Sequence, residues 1–502
     1  MTLLADLVAT SSAVAATRAR TAKVAALADL LRTLHVEEVV PAVAMLTGTP
    51  RQGRIGVGWR RLYDLEVAAA GAPSLTLGEV DAAIDALAAC AGAGSNTERN
   101  RLLTGLLQRA TEAEQSFVRR LLTGELRQGA LEGVMTDAIA RSADVGVAPV
   151  RRAAMLGGDL ATTALLALAE GEPGLAKVGL EVGRPVLPML AASSPDVAAA
   201  VAEVGLASVE WKLDGARVQV HRDGDEVRLF TRNLNEVTDR LPAIVAAVRA
   251  MPATRLVLDG EAMGFDEAER PGVFQDTMSS FGRHDGVAGA TLAARFFDVL
   301  HADGDDLLDR PLVDRHAVLD AIAGPLAIPR IVTDDVEEAT AFAEAALALG
   351  HEGVMVKAAG SRYEAGRRGA AWRKVKPVRT LDLVVTGAEW GSGRRQGWLS
   401  NLHLAARDAG GGFVMVGKTF KGLTDALLQW QTEQLLARQV GKDGHVVFVR
   451  PELVVEIALD GVQRSTRYDG GVALRFARVK RYREDKAPAE ADTIDDVRAM
   501  LR

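Results

Sequence analysis

One lysine in this sequence stands where covalent chemistry could take place. Lys212 lies in the segment EWKLDGAR (210–217), two residues before an Asp-Gly pair and between two short apolar runs. A lysine amine attacks an electrophile only in its neutral form, which burial or neighbouring cations favour. The later segment WRKVK (372–376) supplies candidate cations. A surface lysine also fits so short a pattern, so Lys212 is a candidate nucleophile that needs support from the rest of the chain.

Two acidic residues and one aromatic residue occupy positions that suit nucleotide binding. Glu261 closes a DGE segment after an apolar run, and Glu352 opens the segment EGVMVK, so both are expected at strand ends. Carboxylates at such positions can bind Mg²⁺ or ribose hydroxyls, although a single one is more often a solvated turn residue. Phe297 is expected to point away from the neighbouring Phe296 and could stack on a purine ring.

The first third of the chain is predicted to be helical. Leu, Val and Ala recur at three- and four-residue spacing in 21–34, 80–90 and 111–126, and short Gly-, Pro- or Thr-containing breaks separate these segments. Gly and Pro then recur at short intervals over 171–190 without a helical period, which indicates a linker. We therefore predict an all-α N-terminal domain over residues 1–178.

Shorter apolar runs after the linker predict a mixed domain and then a β-rich one. Alternating segments flank the turn RDGDE, and helical patterns at 239–250 and 335–349 interrupt the strands, so residues 184–378 are predicted to form an α+β domain. Residues 380–502 carry short strands, Gly-rich turns and a helix near 423–438. That pattern favours a C-terminal OB-fold β-barrel, which makes the predicted chain multidomain.

Composition and charge limit the classes of function. The 502 residues include only one cysteine, which excludes an intramolecular disulfide and a cysteine zinc cage. Their net charge is −7. Basic residues nevertheless cluster, with nine Lys/Arg against three Asp/Glu over 362–395 and six against two over 475–486. Such clusters suit a polyanionic partner. Apolar runs are too short to span a membrane and the first residues lack a basic signal-peptide segment, so a cytoplasmic protein is expected.

Several short motifs occur in a fixed order along the chain. They are KLDGAR, TRN, DGE, FFD, EGVMVK and WRKVK, followed by GVALRFARVKRYREDK near the C-terminus. In this order they resemble the covalent nucleotidyltransferase superfamily. Together with the helical N-terminal region, including LLTGELRQG (121–129), they resemble the ATP-dependent DNA ligases of that superfamily. One departure is Ala477, which stands where the last ligase motif usually has proline.

The resemblance implies a mechanism and a role for each motif residue. Lys212 would attack the α-phosphate of ATP, carry AMP as a phosphoramidate and pass it to the 5′-phosphate of a nick, which the 3′-hydroxyl then seals. Mg²⁺, or Mn²⁺ in its place, would be bound by Glu261 and Glu352. The expected nucleotide-binding set is Glu210 on the adenine amine, Phe297 on the ring, Arg217 and Glu261 on the ribose, Arg232 on the 5′-phosphate or adenylate, and Arg368, Lys374 and Lys376 on phosphates.

The same resemblance implies nicked double-stranded DNA as the partner of a monomeric enzyme in a bacterial-type cytosol or nucleoid. The helical domain would clamp the duplex through phosphate contacts of Arg119, Arg120 and Arg127. The C-terminal domain would orient departing pyrophosphate through Arg475, Arg478 and Lys480. The sequence indicates no protein partner, and the implied nick sealing would serve DNA repair, recombination or replication.

Four alternative functions share part of this evidence. An RNA ligase or a capping guanylyltransferase would use the same lysine chemistry, but the helical N-terminal domain and the ending RFARVKRYREDK favour a DNA ligase. An NAD-dependent ligase is disfavoured because one cysteine cannot build its usual four-cysteine zinc module. A non-catalytic DNA-binding scaffold is disfavoured by intact candidate residues at Lys212, Glu261, Glu352, Lys374 and Lys376.

Overall fold

The computed structural model describes residues 1–53, 55–92, 94–126, 132–264, 292–364 and 368–501, without the side chains of 59–61, 368 and 394. The chain divides into two compact units, the first ending at Val375 and the second beginning at Lys376. The predicted order of an all-helical region, a mixed α+β region and a β-rich C-terminal region is confirmed. The three predicted residue ranges for the domains stay predictions. None of the helices described is both long and apolar enough to cross a membrane.

The N-terminal region of the first unit consists of α1 (Leu4–Ala16), α2 (Arg20–Thr33), α3 (Val36–Thr47), α4 (Trp59–Asp64), α5 (Leu77–Ala89), α6 (Ser95–Arg109), α7 (Glu112–Leu122), α8 (Glu132–Ser142), α9 (Val147–Gly157) and α10 (Leu160–Ala176). Their apolar faces share one core, in which Leu7, Leu27 and Phe117 are fully buried. Thr76 and Thr111 cap α5 and α7, because each accepts from the backbone N–H three residues on while a glutamate there returns the bond.

The linker predicted from its glycines and prolines begins inside α10. Gly171 has φ +64° and ψ −149°, a conformation that interrupts the helix. Farther on, the backbone N–H of Leu187 donates to the Met155 carbonyl of α9 at 3.0 Å. Met155 also packs in one hydrophobic cluster with Val186 and Met189. The segment that leads into the α+β region is therefore fixed against α9.

Two five-stranded sheets form the α+β region from β1 (Leu190–Ser193), β2 (Ala207–Lys212), β3 (Ala216–Asp223), β4 (Glu226–Thr231), β5 (Arg255–Gly264), β6 (Leu292–Ala302), β7 (Asp305–Asp306), β8 (Arg330–Thr333), β9 (Gly353–Ala358) and β10 (Arg368–Val375). The strand orders are β1-β10-β9-β2-β8 and β4-β3-β5-β6-β7. β2 belongs to the first sheet and β3 to the second, so the chain crosses between the sheets directly after Lys212. The turn RDGDE joins β3 to β4 as a hairpin, as predicted.

The helices of this region are α11 (Val197–Val204), α12 (Pro242–Arg249), α13 (Leu312–Ala323) and α14 (Val336–Ala348). Apolar residues of α11 and α14 share a core with β2 and β9 of the first sheet. Apolar residues of α12 and α13 share a core with β3, β5 and β6 of the second sheet. Each sheet thus packs helices against one face.

The second unit contains β11 (Arg379–Trp390), β12 (Leu399–Arg407), β13 (Phe413–Thr419), α15 (Asp425–Ala437), β14 (Gln439–Asp443), β15 (Val446–Val449), β16 (Val454–Leu459), β17 (Gly461–Arg464), β18 (Val472–Arg475), β19 (Arg478–Tyr482) and α16 (Ile494–Ala499). Its main sheet has the order β13-β12-β11-β15-β14, with β16 paired to β11 and β19 paired to β16. The long β11 serves both halves, because 379–384 pair with β16 and 387–389 pair with β15.

The region predicted as an OB-fold β-barrel is β-rich, but its described strands do not close into a barrel. The edge strands β13 and β14 do not pair with each other, and β18 pairs with β17 in a separate two-stranded ribbon. The predicted helix near 423–438 is present as α15, packed on the sheet through Leu428 and Leu435. Short apolar runs predict that this region is rich in β-strands, whereas barrel closure depends on long-range pairing that no local pattern encodes.

Candidate active site

A cavity of about 390 Å³ in the first unit is lined by residues from both sheets of the α+β region. That volume is in the usual range for a small-molecule site. The lining includes seven residues predicted from the sequence, namely Glu210, Lys212, Arg217, Arg232, Glu261, Phe297 and Lys374. The other lining residues are Met189, Leu190, Ala191, Trp211, Leu213, Gly215, Ile328, Met355, Lys357 and Trp372.

Lys212 is the last residue of β2, and it lines the cavity while its amine contacts the carboxylate of Glu352. Glu352 directly precedes β9, and its backbone N–H donates to the Lys212 carbonyl at 3.1 Å. Pairing of β2 with β9 therefore sets the position of both side chains. The Lys212 side chain is 20% exposed. Lys212 is therefore mostly sheltered from solvent and lines a cavity, unlike the surface lysine that the short motif also allows.

Two motif glycines allow β5 to pack closely against its neighbours. A Cβ on Gly215 would lie 2.5 Å from the Ala262 carbonyl oxygen and 3.0 Å from Cγ of Glu261. A Cβ on Gly260 would lie 2.7 Å from the Arg295 carbonyl oxygen. Both separations are too short for any side chain, so the glycines of KLDG and DGE are needed for close approach. This packing brings Glu261 to the cavity.

Glu261 projects from β5 among groups of both signs. Burial raises the pKa of its carboxyl to about 7 despite the opposing charges of Lys212 and Arg217, and Asp259 and Asp214 add to the rise. Near neutral pH the group is therefore divided between its protonated and ionised forms. A cation or a hydroxyl donor entering the cavity would favour the carboxylate, which gives Glu261 the properties of a ligand-dependent acceptor.

Glu210 is held by three donors on the cavity wall. Its Oε2 lies 2.5 Å from Lys357 Nζ, and its Oε1 lies 3.1 Å from Ser208 Oγ and 3.3 Å from His316 Nε2. The side chains of Glu210 and Lys357 are 1% and 2% exposed. Burial raises the pKa of Glu210, but Lys357 and His316 outweigh burial and the pKa falls to about 2. An ionised acceptor and an ammonium donor therefore stand side by side facing the cavity.

Aromatic rings form the apolar part of this wall. Phe297 lines the cavity whereas Phe296 is fully buried in the core, as alternation along β6 predicts. The Phe297 ring meets Trp372 edge to face, with centroids 6.1 Å apart. Lys357 Nζ lies 4.5 Å from the centroid of Phe297 and 4.2 Å from that of Trp372. Aromatic surface next to a donor and an acceptor suits a planar heterocycle.

Arg217 belongs to a buried network beside the aromatic wall. Its Nε and Nη2 bind the two oxygens of Asp259 at 3.0 and 2.6 Å, and its Nη1 binds the Met189 carbonyl at 2.6 Å. The Tyr363 hydroxyl donates to Asp259 at 2.7 Å and accepts from the Met189 N–H at 3.1 Å. The guanidinium lies 5.4 Å from the Phe297 centroid. The network ties the linker segment to the wall that carries Phe297.

The remaining predicted phosphate ligands are distributed over both units. Lys374 and Arg232 line the cavity. Lys376 belongs to the second unit, where its amine lies 2.8 Å from Asp460 Oδ2. Arg478, predicted to orient pyrophosphate, lies 3.2 Å from the other oxygen of Asp460. Arg368 begins β10, but its side chain lies outside the described residues.

The predicted phosphate contacts of the helical region differ from one another. Arg119 donates to the carbonyl oxygens of Leu62 and, at 3.0 Å, Leu65, so it is bound inside the region. Arg120 is exposed at the end of α7. Arg127 lies outside the described residues.

Four residues that shape the site were not singled out from the sequence, namely Lys357, Trp372, His316 and Tyr363. A signal existed for Trp372, because it lies two residues before Lys374 on β10 and alternation puts both on one face. Lys357 stands inside the quoted motif EGVMVK, on the face of β9 that also carries Met355. His316 and Tyr363 come from a helix and a loop with no motif, so their place in the site is a property of the fold.

The donors near Lys212 suit a metal that arrives with a nucleotide. The described residues contain no group of three or more His, Cys, Asp or Glu that could hold a metal ion alone. Glu352 contacts Lys212, and Glu261 interacts with it electrostatically. Mg²⁺ commonly takes one or two carboxylates and completes its shell with phosphate oxygens and water. Two carboxylates beside a nucleotide-sized cavity therefore fit such an ion.

Three family models match the chain, in the order N terminus, ATP-dependent DNA ligase domain and C-terminal region of the DNA ligases, over residues 66–140, 188–376 and 395–486. A "Probable DNA ligase" of Pseudarthrobacter chlorophenolicus is 57% identical over 506 residues that span both chains in full. One of Saccharopolyspora erythraea is 57% identical, covering 100% of this chain and 98% of its own. The solved structure "Pmar-Lig_PreS3" shares the fold, with TM-score 0.65 and 19% identity over 95% of this chain and 99% of its own. The chain therefore belongs to the ATP-dependent DNA ligases, enzymes that seal DNA nicks through an adenylate intermediate.

Proposed function

We propose that Lys212 is the residue that carries AMP and that the substrate is a 3′-hydroxyl/5′-phosphate nick in duplex DNA. One observation carries the proposal, namely that Lys212, whose amine contacts Glu352, lines the same cavity as the ionic and aromatic wall formed by Glu210, Lys357 and Phe297. A nucleotide held by that wall would present its α-phosphate to an amine already fixed by strand pairing. Positioning of this kind supplies much of the catalysis in phosphoryl transfer.

The base would be read by Glu210 and stacked by Phe297. The ionised Glu210 carboxylate accepts from the exocyclic amine of adenine, and the neighbouring ammonium of Lys357 can donate to a ring nitrogen. Guanine presents a carbonyl where adenine has the amine, so it would set an acceptor against an acceptor. The depressed pKa of Glu210 supports this role, because the acceptor stays ionised at every physiological pH.

Sugar and phosphates would meet the cations and the second acid of the cavity. Arg217 and Glu261 suit the ribose, since both line the cavity next to Phe297. Lys374 suits the nucleotide phosphates, with Arg368 and Lys376 as further phosphate ligands, and Arg232 suits the 5′-phosphate or the adenylate. Lys376 would exchange Asp460 for the α-phosphate, which its partly exposed ion pair permits.

Mg²⁺, or Mn²⁺, is the proposed metal, with Glu261 and Glu352 as its protein ligands. Bound there, the ion would neutralise charge on the transferring phosphate. Glu352 also holds the Lys212 amine in place before the nucleotide binds. The elevated pKa of Glu261 supports a role as a ligand that ionises when a cation is present.

The helical region would bind the duplex around the nick, with Arg120 and Arg127 as phosphate contacts. The family model for the ligase N terminus, which covers 66–140, supports DNA binding by this region. We propose that the enzyme acts as a monomer where bacterial DNA lies, in the cytosol or nucleoid. Affinity for nicked duplex should then fall steeply with salt, because each neutralised phosphate releases counterions.

The test is transfer of label from α-labelled ATP to the full-length protein in the presence of Mg²⁺. We expect wild type to retain label after denaturation and to lose it when nicked DNA is added, whereas Lys212→Ala takes up none. Lys442→Ala, at an exposed lysine of β14, is the matched control and should label normally. Equal labelling of wild type and Lys212→Ala would place the nucleophile elsewhere. Unlabelled wild type, after removal of any bound AMP with pyrophosphate, would contradict the proposed function.

A further inference from the structure

A histidine of α13 lies against the carboxylate that we assign to adenine. His316 is 3% exposed, and its Nε2 lies 3.3 Å from Glu210 Oε1 and 3.3 Å from the Phe297 carbonyl oxygen. Both neighbours are oxygen acceptors, so Nε2 must carry the proton. The other ring nitrogen, Nδ1, is buried with no hydrogen-bond partner in the described part of the chain. His316 therefore directs its hydrogen bonding at two residues of the proposed base pocket.

The helix that carries His316 is anchored one residue earlier. Arg315 is fully buried and binds both oxygens of Asp298 at 2.7 and 2.8 Å. Its Nη1 also donates to the carbonyl oxygens of Arg310 and Ser361 at 2.7 and 2.9 Å. Asp298 follows Phe297 on β6, so one buried ion pair fixes α13 against the strand that supplies the stacking ring. The part of α13 that carries His316 is therefore held in place by the contacts of Arg315.

The Glu210 carboxylate has room for one more donor. An ionised carboxylate offers about four acceptor positions. Ser208 and His316 occupy Oε1, and Lys357 occupies one position on Oε2. The open position therefore lies on Oε2, the oxygen beside the Lys357 ammonium at the cavity. Without His316, Oε1 would keep a single donor and the carboxylate could rotate about its terminal bond.

We propose that His316 is a positioning residue for purine recognition. By binding Oε1 of Glu210 and the carbonyl of Phe297, it fixes the rotation of the carboxylate so that Oε2 keeps its open position toward the exocyclic amine. The inference rests on the proposed role of Glu210 in reading adenine, and adds a residue that sets the accepted purine without touching the reacting atoms. A purine without a 6-amino group leaves the fixed Oε2 unpaired and should bind more weakly.

The test compares ATP with purine riboside triphosphate, which lacks the 6-amino group, as α-labelled donors to Lys212 of the full-length protein. His316→Leu removes the donor at similar volume. We expect it to reduce the preference for ATP about 10-fold through a higher KM for ATP, with kcat for labelling within about 3-fold of wild type. A lower kcat at unchanged KM, or an unchanged preference, would overturn the proposal.

Two further variants keep the test decisive if His316→Leu folds poorly. The side-chain amide of His316→Gln can place an N–H near the position of Nε2, whereas that of His316→Asn reaches only the position of Nδ1. The Gln variant should keep most of the preference for ATP and the Asn variant should lose it. Equal behaviour of the two would overturn a role for the Nε2 donor.

The second unit offers a matched control, and a Glu210 variant tests the proposed role of Glu210 separately from that of His316. His403 is buried, with its Nε2 3.0 Å from Glu389, so His403→Leu makes the same change at another carboxylate and should leave the preference unchanged. Glu210→Ala should abolish the preference for ATP. If Glu210→Ala keeps it, the proposed role of Glu210 fails. If Glu210→Ala loses it while the His316 Leu and Asn variants keep it, only the inference about His316 fails.

Discussion

The charged groups of the nucleotide cavity and those of the C-terminal unit are paired at very different depths. Glu210 and Lys357 are 1% and 2% exposed, whereas Asp460 and its partners Lys376 and Arg478 are 21%, 23% and 39% exposed. A buried pair cannot exchange its partner for water, so its geometry is set before any ligand arrives. A partly exposed ion pair contributes little free energy, so little is lost when one partner moves to a phosphate.

That difference in depth matches two tasks in one catalytic cycle. In the proposed function, recognition of one nucleotide needs an acceptor and a donor that hold their positions, and Glu210 and Lys357 are such a pair, buried in the first unit. Cations that are proposed to bind and then release phosphates need partners that they can leave, and the partly exposed Asp460 suits that role for Lys376 and Arg478. The predictions below test whether depth of burial separates the two sets of charges.

The largest effect is expected where one partner of the buried pair is removed. Lys357→Met leaves the buried Glu210 carboxyl without its nearest cation, so we expect a loss of about 3 to 5 kcal/mol in the free energy of unfolding. Urea-induced unfolding of the full chain measures it. The control is Lys418→Met in the second unit, since Lys418 also pairs with a glutamate, Glu389, but is 25% exposed. A similar small loss in both variants would remove the distinction drawn from burial.

Much of this arrangement can be predicted from local pattern. Lys212 and Glu210 belong to a short motif, and period-two alternation on β6 predicts that Phe297 and Phe296 lie on opposite faces, as they do in the cavity wall and the core. The helical periods at 239–250 and 335–349 correspond to α12 and α14. Such features depend on neighbours within a few residues, which is why sequence reasoning reaches them.

Other parts of the site depend on contacts between distant segments. His316 and Tyr363 contact residues of the site from a helix and a loop that carry no motif, and nothing near them in sequence marks them. The glycines of KLDG and DGE suggest turns, yet Gly215 and Gly260 serve the close approach of neighbouring strands. Likewise, Lys376 and Asp460 form an ion pair although more than eighty residues separate them in sequence. The motif predicts Lys376 as a phosphate ligand but not its pairing with Asp460.

A smaller effect is expected from the titration of Glu261. Its pKa in the folded chain, about 7, is above the usual value, so the stability it contributes is full below pH 4.5 and is lost as pH rises toward 7. Glu261→Gln cannot ionise, and the nucleotide- and metal-free variant should gain about 1 to 3 kcal/mol relative to wild type between pH 5 and pH 8. Unfolding free energies at the two pH values measure the gain.

Glu389 of the second unit is a control of opposite sign for that titration. Lys418, His403 and Asn401 outweigh the effect of burial and lower the pKa of Glu389 to about 2. Its contribution to stability is therefore present above pH 4.5 and is lost as pH falls through 2. Glu389→Gln should destabilise the chain at neutral pH and lose that effect in acid. A gain for Glu261→Gln that does not change with pH would show that folding does not raise the pKa of Glu261.

The smallest effect is expected at the partly exposed cluster of Asp460, Lys376 and Arg478. Asp460→Asn removes the negative charge shared by Lys376 and Arg478, and we expect at most about 1 kcal/mol lost in the free energy of unfolding, less in high salt. Labelling of Lys212 by ATP should continue at a rate within about 3-fold of wild type, because Lys376 then has no carboxylate to leave. Asp443→Asn, at an exposed aspartate of β14, controls for the loss of one surface charge. Loss of labelling in Asp460→Asn alone would mean that Asp460 holds Lys376 for the reaction, and its ion pair would then belong with the fixed charges of the cavity.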